Sequence, residues 1–388
     1  MKFHINKRKL LTLFTTMNCF IMASFSASAS LEIASANLSP AILNGVDTSL
    51  SLVPYQVRLT ITKNNGSQSK YYLCGGSIID NTVVLTAAHC LEDEGTYSTT
   101  SVTVYYLDYS DSSNPTLQTA TASSSQFSVN SNWTGSLDDS HDTAVIYLST
   151  ADFANAKKIK VADSSNMTSM YQEFSNTYVA NQDNETNVMA SGYGKDEDGV
   201  SGTLQRVLLT GIPTSTCSSL ASNNVSGNDI VCVQSPTTST NYGICSGDSG
   251  GPLVWQDPDH ASDADYGIRL VGIASYVTTD SGSCRLNGQY YYGGYSSIYY
   301  FASEINSAID TLMGGSGGYD ITSTGLTYSF TSNPMDFTNT SSDADDDSDT
   351  EEESSSGGGG GGSTNTILLF VMGLVWALRR RCLFPNRL

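Results

Sequence analysis

GICSGDSGGPLV occupies residues 243–254, and its reading decides the fold. Ser249 stands between Gly247-Asp248 and Gly250-Gly251. Glycines on both sides of a serine let the backbone bend tightly and bring N–H groups against a bound carbonyl, which is what an oxyanion hole requires. The pattern Gly-x-Ser-x-Gly is also written at the nucleophile elbow of α/β-hydrolases, so the order of the partner residues has to decide. An α/β-hydrolase needs its acid and then its histidine after the serine. The only histidine after Ser249 is His260, too close in sequence to sit on a separate strand-end loop. The partners of Ser249 therefore lie upstream.

Two histidines are available there, apart from His4 near the amino terminus. His89 sits in VVLTAAHC (83–90), a β-branched run leading into a turn. A bridge between Cys90 and Cys74 would pin that turn to the strand behind CGGSII (74–79). A histidine held so firmly suits a general base, which must stay within hydrogen-bond reach of the serine. His141 is followed by DTAVIYL (142–148), where Asp142 opens an apolar strand. An acid entering the core at a strand edge is suited to orienting an imidazole from behind. His141, Asp138 and Asp139 are read as loop residues.

The rest of the chain fits a β-rich exported body. Short Val/Ile/Tyr/Thr runs such as SVTVYYL (101–107) and RLVGIASYV (269–277) are punctuated by Gly, Asn and Ser, an all-β pattern. One helical run, residues 297–313, keeps Ile298, Phe301, Ile305, Ile309 and Leu312 at three-to-four spacing and closes the domain. Setting aside Cys19 and Cys382, six cysteines remain: Cys74, Cys90, Cys217, Cys232, Cys245 and Cys284. An even number in an exported chain reads as disulfides, and no pair has the close Cys-x-x-Cys spacing of a structural zinc site. The formal net charge is −20, and of the 18 Lys and Arg four lie at the amino terminus and four in the last ten residues. Such a body repels nucleic acid and anionic membrane and stays soluble.

With His89, Asp142 and Ser249 in that order, and TAAHC, DTAVI and GDSGGPL all present, the sequence resembles the chymotrypsin/trypsin-like serine proteases over residues 42–313. The resemblance implies two antiparallel six-stranded β-barrels with a C-terminal helix. It implies peptide hydrolysis by Ser249 with His89 as base and Asp142 orienting it, and an oxyanion hole from the N–H groups of Gly247 and Ser249. It also pairs Cys217 with Cys232 and Cys245 with Cys284, and sets Ser275, Tyr276 and Val277 against substrate backbone. Tyr276, and Tyr193 in Ser191-Gly192-Tyr193-Gly194, stand where the family usually has tryptophan. At the base of the specificity pocket, where trypsin has aspartate, is Gly243. Gly293 is the other floor position and Val277 a wall position, so the pocket is expected to be narrow and apolar and to prefer small or medium apolar residues. No metal or cofactor is implied, and the partners are protein or peptide substrates. The alternatives are a catalytically silent binding or adhesion protein of the same fold, and an esterase using the same triad.

The chain ends carry processing signals. Residues 1–29 have a basic start, an apolar middle and Ala27-Ser28-Ala29, a secretory signal cut by signal peptidase after Ala29. Residues 30–41 are then a propeptide. By resemblance, cutting Ala41–Ile42 frees an α-amino group that pairs with Asp248, and Ala41 itself suits a small apolar pocket. Residues 314–356, rich in Gly, Ser and then Asp, are expected to be a solvated linker. Residues 357–388 hold six glycines, the apolar run 367–378 and Arg379 to Arg381, and resemble the GlyGly-CTERM sorting tails of Gram-negative bacteria. That implies export through the periplasm, transient membrane contact through the tail, removal of the tail by a rhomboid-type protease, and a surface or secreted product. A retained transmembrane helix is the alternative, although the run is short for a span.

Overall fold

The computed structural model describes residues 42–136, 140–148, 153–195, 201–220, 228–277, 292–315 and 317–338. The stretches read as signal (1–29), propeptide (30–41) and sorting tail (357–388) lie outside these residues. Among the described residues, no helix is long and apolar enough to cross a membrane.

A two-residue strand, β1 (Val46–Asp47), comes first and pairs with the second half of the molecule. The first half is a curled antiparallel sheet. Its strands are β2 (Gln56–Asn64), β3 (Ser69–Ile78), β4 (Val83–Thr86), β5 (Ser98–Asp108), β6 (Thr116–Ser123), β7 (Phe127–Val129) and β8 (Ala144–Tyr147). They lie in the order β6-β5-β2-β3-β4-β8-β7, with a four-residue helix, α1 (Ala88–Leu91), between β4 and β5. Period-two alternation puts Val57, Leu59 and Ile61 of β2 and Val102, Val104 and Tyr106 of β5 inward, while Thr60, Thr62 and Thr103 between them stay partly exposed. The apolar faces thus share one core.

The second half closes on itself. It contains β9 (Lys160–Val161), α2 (Ser164–Thr177), β10 (Val188–Gly192), β11 (Gln205–Gly211), α3 (Thr214–Leu220), β12 (Ile230–Gln234), β13 (Pro252–Gln256), β14 (Ile268–Val277), β15 (Tyr292–Ser297) and α4 (Ala302–Leu312). The path β11-β10-β13-β14-β15-β12 returns to its start because β12 also pairs with β11, which makes a six-stranded barrel. Register shifts at Leu253/Val254 and Ala274/Tyr276 supply the bends that closure needs. The expected pair of β-barrels is therefore present, the second closed and the first a curled half-barrel. One short parallel pair, β9 with β14, departs from the antiparallel rule.

Two differences from the sequence reading have physical causes. The all-β pattern gave no sign of α2, whose Met167, Met170 and Phe174 face the barrel while Asp163 and Asn166 form a reciprocal cap at its start. The folded body also does not end at Met313. It reaches Phe337, and residues 317–337 form a strap packed on it. Ile321 and Phe330 are buried, and Tyr319, Met335 and Phe337 are partly buried against the core. The solvated linker expected from residue 314 thus contains five anchors spaced among Gly, Ser, Thr and Asn.

Candidate active site

The short helix α1 places His89 at the edge of the first half, with Cys90 bridged to Cys74 behind it. Asp142, fully buried just before β8, accepts the backbone N–H of His89 at 2.8 Å on one oxygen. Its other oxygen lies 2.7 Å from His89 Nδ1 and accepts Ser275 Oγ–H at 2.6 Å. A carboxylate can only accept here, so Nδ1 carries the imidazole proton and Nε2 keeps its lone pair. Burial, the largest single influence, pulls the His89 pKa down, but the charge and hydrogen bond of Asp142 together with the charge of Glu92 outweigh it, and the result is raised above the usual histidine value.

Ser249 arrives from the other half on a turn that only glycines permit. Gly247 and Gly250 have φ of +105° and +79°. A Cβ on Gly250 would stand 2.2 Å from Thr86 Oγ1, and one on Gly247 would stand 2.9 Å from Gly194 Cα. Ser249 O accepts the Gly75 N–H at 2.8 Å and Gly250 N–H donates to Ala274 O at 2.8 Å, which fixes the turn against both halves. Ser249, Gly247 and His89 line one cleft of about 440 Å³, walled by Leu73 and the Cys74–Cys90 bridge and extended by Lys63, Tyr72, Glu92, Glu94 and Trp133. Trp133 Nε1–H donates to Glu92 at 2.6 Å. Cys74, His89 and Cys90 lie close enough to suggest a metal cluster, but both sulfurs are committed to the disulfide.

Asp248 turns away from the cleft into the barrel. Its carboxylate accepts N–H groups from Gly194 at 2.7 Å and Cys245 at 2.9 Å. Burial raises its pKa to about 7, against the lowering effect of those two donors. Ile42 is fully buried and its N–H donates to Gln205 Oε1 at 2.6 Å. Leu43 and Gly243 form a β-bridge, so the expected pocket base adjoins this segment. Val277 and Gly293 are register partners on β14 and β15. Tyr276 lies across Gly294, where a Cβ would meet its ring at 2.3 Å.

These elements match a known protein class. The family described as Trypsin matches residues 42–305. The chain belongs to the trypsin family of serine proteases. It is similar to the fibrinolytic enzyme, isozyme C, of Lumbricus rubellus, 28% identical over 63% of this chain and 90% of that protein. It is 30% identical to serine protease 1 of Drosophila melanogaster over 61% of this chain and 75% of that protein. A solved HL collagenase structure aligns at 23% identity with a TM-score of 0.49, covering 69% of this chain and 97% of that one. As a trypsin-family serine protease, the protein is a hydrolase.

The fold brings His89, Asp142 and Ser249 from three distant stretches to one place. The Cys217–Cys232 bridge is formed. Cys245 is also disulfide-bonded, while Cys284, its expected partner, lies outside the described residues, as do Ala41, Asp138 and Asp139. His141 packs its ring 5.0 Å from that of Phe301. Sequence reasoning missed Gln205, and it missed why Gly192 and Gly194 are glycine: a Cβ at either would stand 2.1 or 2.6 Å from Asp248 carboxylate atoms. The Gly-Tyr-Gly spacing was the available signal.

Proposed function

We propose that the protein is a secreted endopeptidase in which Ser249 attacks the scissile carbonyl. His89 Nε2 takes the serine proton and returns it to the leaving amine, and the N–H groups of Gly247 and Ser249 hold the oxyanion through acyl-enzyme formation and hydrolysis. The observation that carries this reading is the His89 Nδ1–Asp142 contact of 2.7 Å in the cleft that Ser249 shares. It leaves Nε2 in the accepting form a general base needs.

The same reading assigns Gly243, Val277 and Gly293 to the pocket for the side chain before the cut, and backbone pairing with substrate to Ser275–Val277. A pocket offering no carboxylate at these positions disfavours Lys and Arg and admits Ala, Val and other small or medium apolar side chains. Activation is by cleavage after Ala41, after which the ammonium of Ile42 pairs with Asp248. The burial of both residues supports this, since a carboxyl shut away from water at neutral pH calls for a cation. The tail from residue 357 is a sorting signal that a rhomboid-type protease removes, in a Gram-negative bacterium.

Labelling with a fluorophosphonate and a peptide-library cleavage profile of the form beginning at Ile42 test this together. Ser249→Ala should abolish labelling and lower turnover about a thousand-fold or more. Near-normal proteolysis by that variant would remove the mechanism, and cleavage centred on Lys or Arg would remove the pocket assignment.

A further inference from the structure

The strap of residues 317–337 lies beyond the segment matched by the trypsin family, and it is attached to β11, whose Gln205 accepts the Ile42 N–H. Arg206 on β11 is buried, with 1% of its surface exposed. Its Nη1–H donates to Pro334 O, and its guanidinium carbon lies 4.2 Å from the centre of the Phe337 ring. A guanidinium is buried at tolerable cost only with such partners. The residue before it, Gln205, accepts the Ile42 N–H through Oε1 at 2.6 Å and donates through Nε2 to Asp47 at 2.9 Å. The activation segment is tied to β11 by just two paired positions, Val46 with Arg206 and Asp47 with Gln205. So short a ladder has little stability of its own. Farther along, the strap meets the same amino-terminal segment again: the Phe330 ring lies 5.5 Å from that of Tyr55, and Thr331 Oγ1 is 3.5 Å from Ser51 O.

We propose that the strap is a built-in positioning device for activation: by clamping Arg206 between Pro334 and Phe337 it holds Gln205 in register and so favours the inserted state of Ile42. The proposal rests on the activation reading given above. It makes the carboxyl-terminal segment an intramolecular activator, with Arg206, Gln205 and Phe337 as positioning residues. The charged and titratable groups on the elements packed around Ile42 are Asp248, Asp47 on β1, Arg206 on β11 and Tyr242, with buried Tyr55 and, on the strap, Asp336 acting on Arg206. Of these, Asp248 is the one that the amine pairs with once it is free.

The experiment compares enzyme cut to begin at Ile42 as wild type, Phe337→Ala, Arg206→Lys and Ile321→Ala. It measures acylation of the Ile42 α-amine by intact and peptide mass, the alkaline limb of kcat/KM, and Tm. A free α-amine loses its proton near pH 8, and pairing with a buried carboxylate moves that loss upward. Phe337→Ala and Arg206→Lys should raise the acylation rate about fivefold or more and shift the alkaline limb to lower pH, with the acid limb unmoved. Ile321→Ala, buried in the strap near α4, should lower Tm and change neither readout. If Phe337→Ala and Arg206→Lys lower Tm while labelling and the alkaline limb stay as in wild type, the strap is merely structural and the proposal falls. An uncleavable Ala41→Pro precursor as active as cut enzyme would overturn the activation reading itself, and the proposal with it.

Discussion

Gly194 donates its backbone N–H to Asp248 at 2.7 Å across 54 residues of sequence, with Gly194 so close that it has no room for a Cβ. This contact links the end of β10 to the residue preceding the nucleophile. In Gly194→Ala the new carbon would stand 2.6 Å from the Asp248 carboxylate and 2.7 Å from its backbone nitrogen, so the nucleophile turn has to shift. The expected cost is about 2 kcal/mol of stability. The expected loss of kcat/KM is about tenfold or more, because a 1 Å displacement of reacting groups is costly. Thermal unfolding together with kinetics on a peptide ester checks both.

Ser275 supplies one of the donors that satisfy buried Asp142. Ser275→Ala should lower stability by about 1–2 kcal/mol, since the carboxylate then keeps a lone pair without a donor. A less satisfied carboxylate holds a proton on its neighbour more strongly, so the acid limb of kcat/KM should move upward. A lower Tm with an unmoved acid limb would show that the hydroxyl acts only on packing.

The parts of this site legible in the sequence were those written in short, contiguous motifs. Ser249 with its glycines, His89 beside Cys90, and Asp142 at the head of an apolar strand each announce a local geometry, and their order excludes the competing hydrolase arrangement. The strap was illegible for the opposite reason. Ile321, Phe330 and Phe337 stand singly among Gly, Ser, Thr and Asn with no helical or strand period, and what they meet lies on α4, beside Tyr55 and on Arg206. Gln205 was hidden because its role depends on a chain segment 163 residues away. The helix α2 was overlooked because its three inward residues, two of them Met, make a weak stripe in a Ser- and Asn-rich stretch.

His89 has its pKa raised by Asp142 in spite of burial, so activity should rise with pH through a value above about 6.5, where the free imidazole titrates. The imidazolium–carboxylate pair contributes its stability fully below the unfolded pKa of about 6.5, and that contribution is lost as pH rises through the raised folded value. In Asp142→Asn, the ring loses the charge that raises its pKa most, and burial is opposed mainly by Glu92. The acid limb should then drop below that of wild type, and kcat should fall by about 10⁴ because the proton sits on the wrong nitrogen. A pH–rate profile of wild type and variant decides; an acid limb that stays in place would separate it from His89.

On the proposed activation, Asp248 should make the precursor and the cut enzyme distinguishable by stability alone. In the uncut chain its carboxyl is pushed up to about 7 by burial, so the folded state holds a proton that the unfolded state releases near pH 4. The sign follows: a folded state that binds more protons loses stability as pH rises, here between about pH 4 and about pH 7. On the proposed activation, the Ile42 ammonium freed by cutting Ala41–Ile42 should lower the Asp248 pKa again, and the slope should vanish. Precursor Tm, recorded with Ser249→Ala to prevent self-cleavage, is therefore expected to fall across that window. Asp248→Asn in the same precursor should be flat by comparison, and the cut form should gain most over the precursor at pH 7. Equal pH slopes for precursor and cut enzyme would mean that the new amino terminus never reaches Asp248, and an unchanged slope in Asp248→Asn would assign the titration to another group.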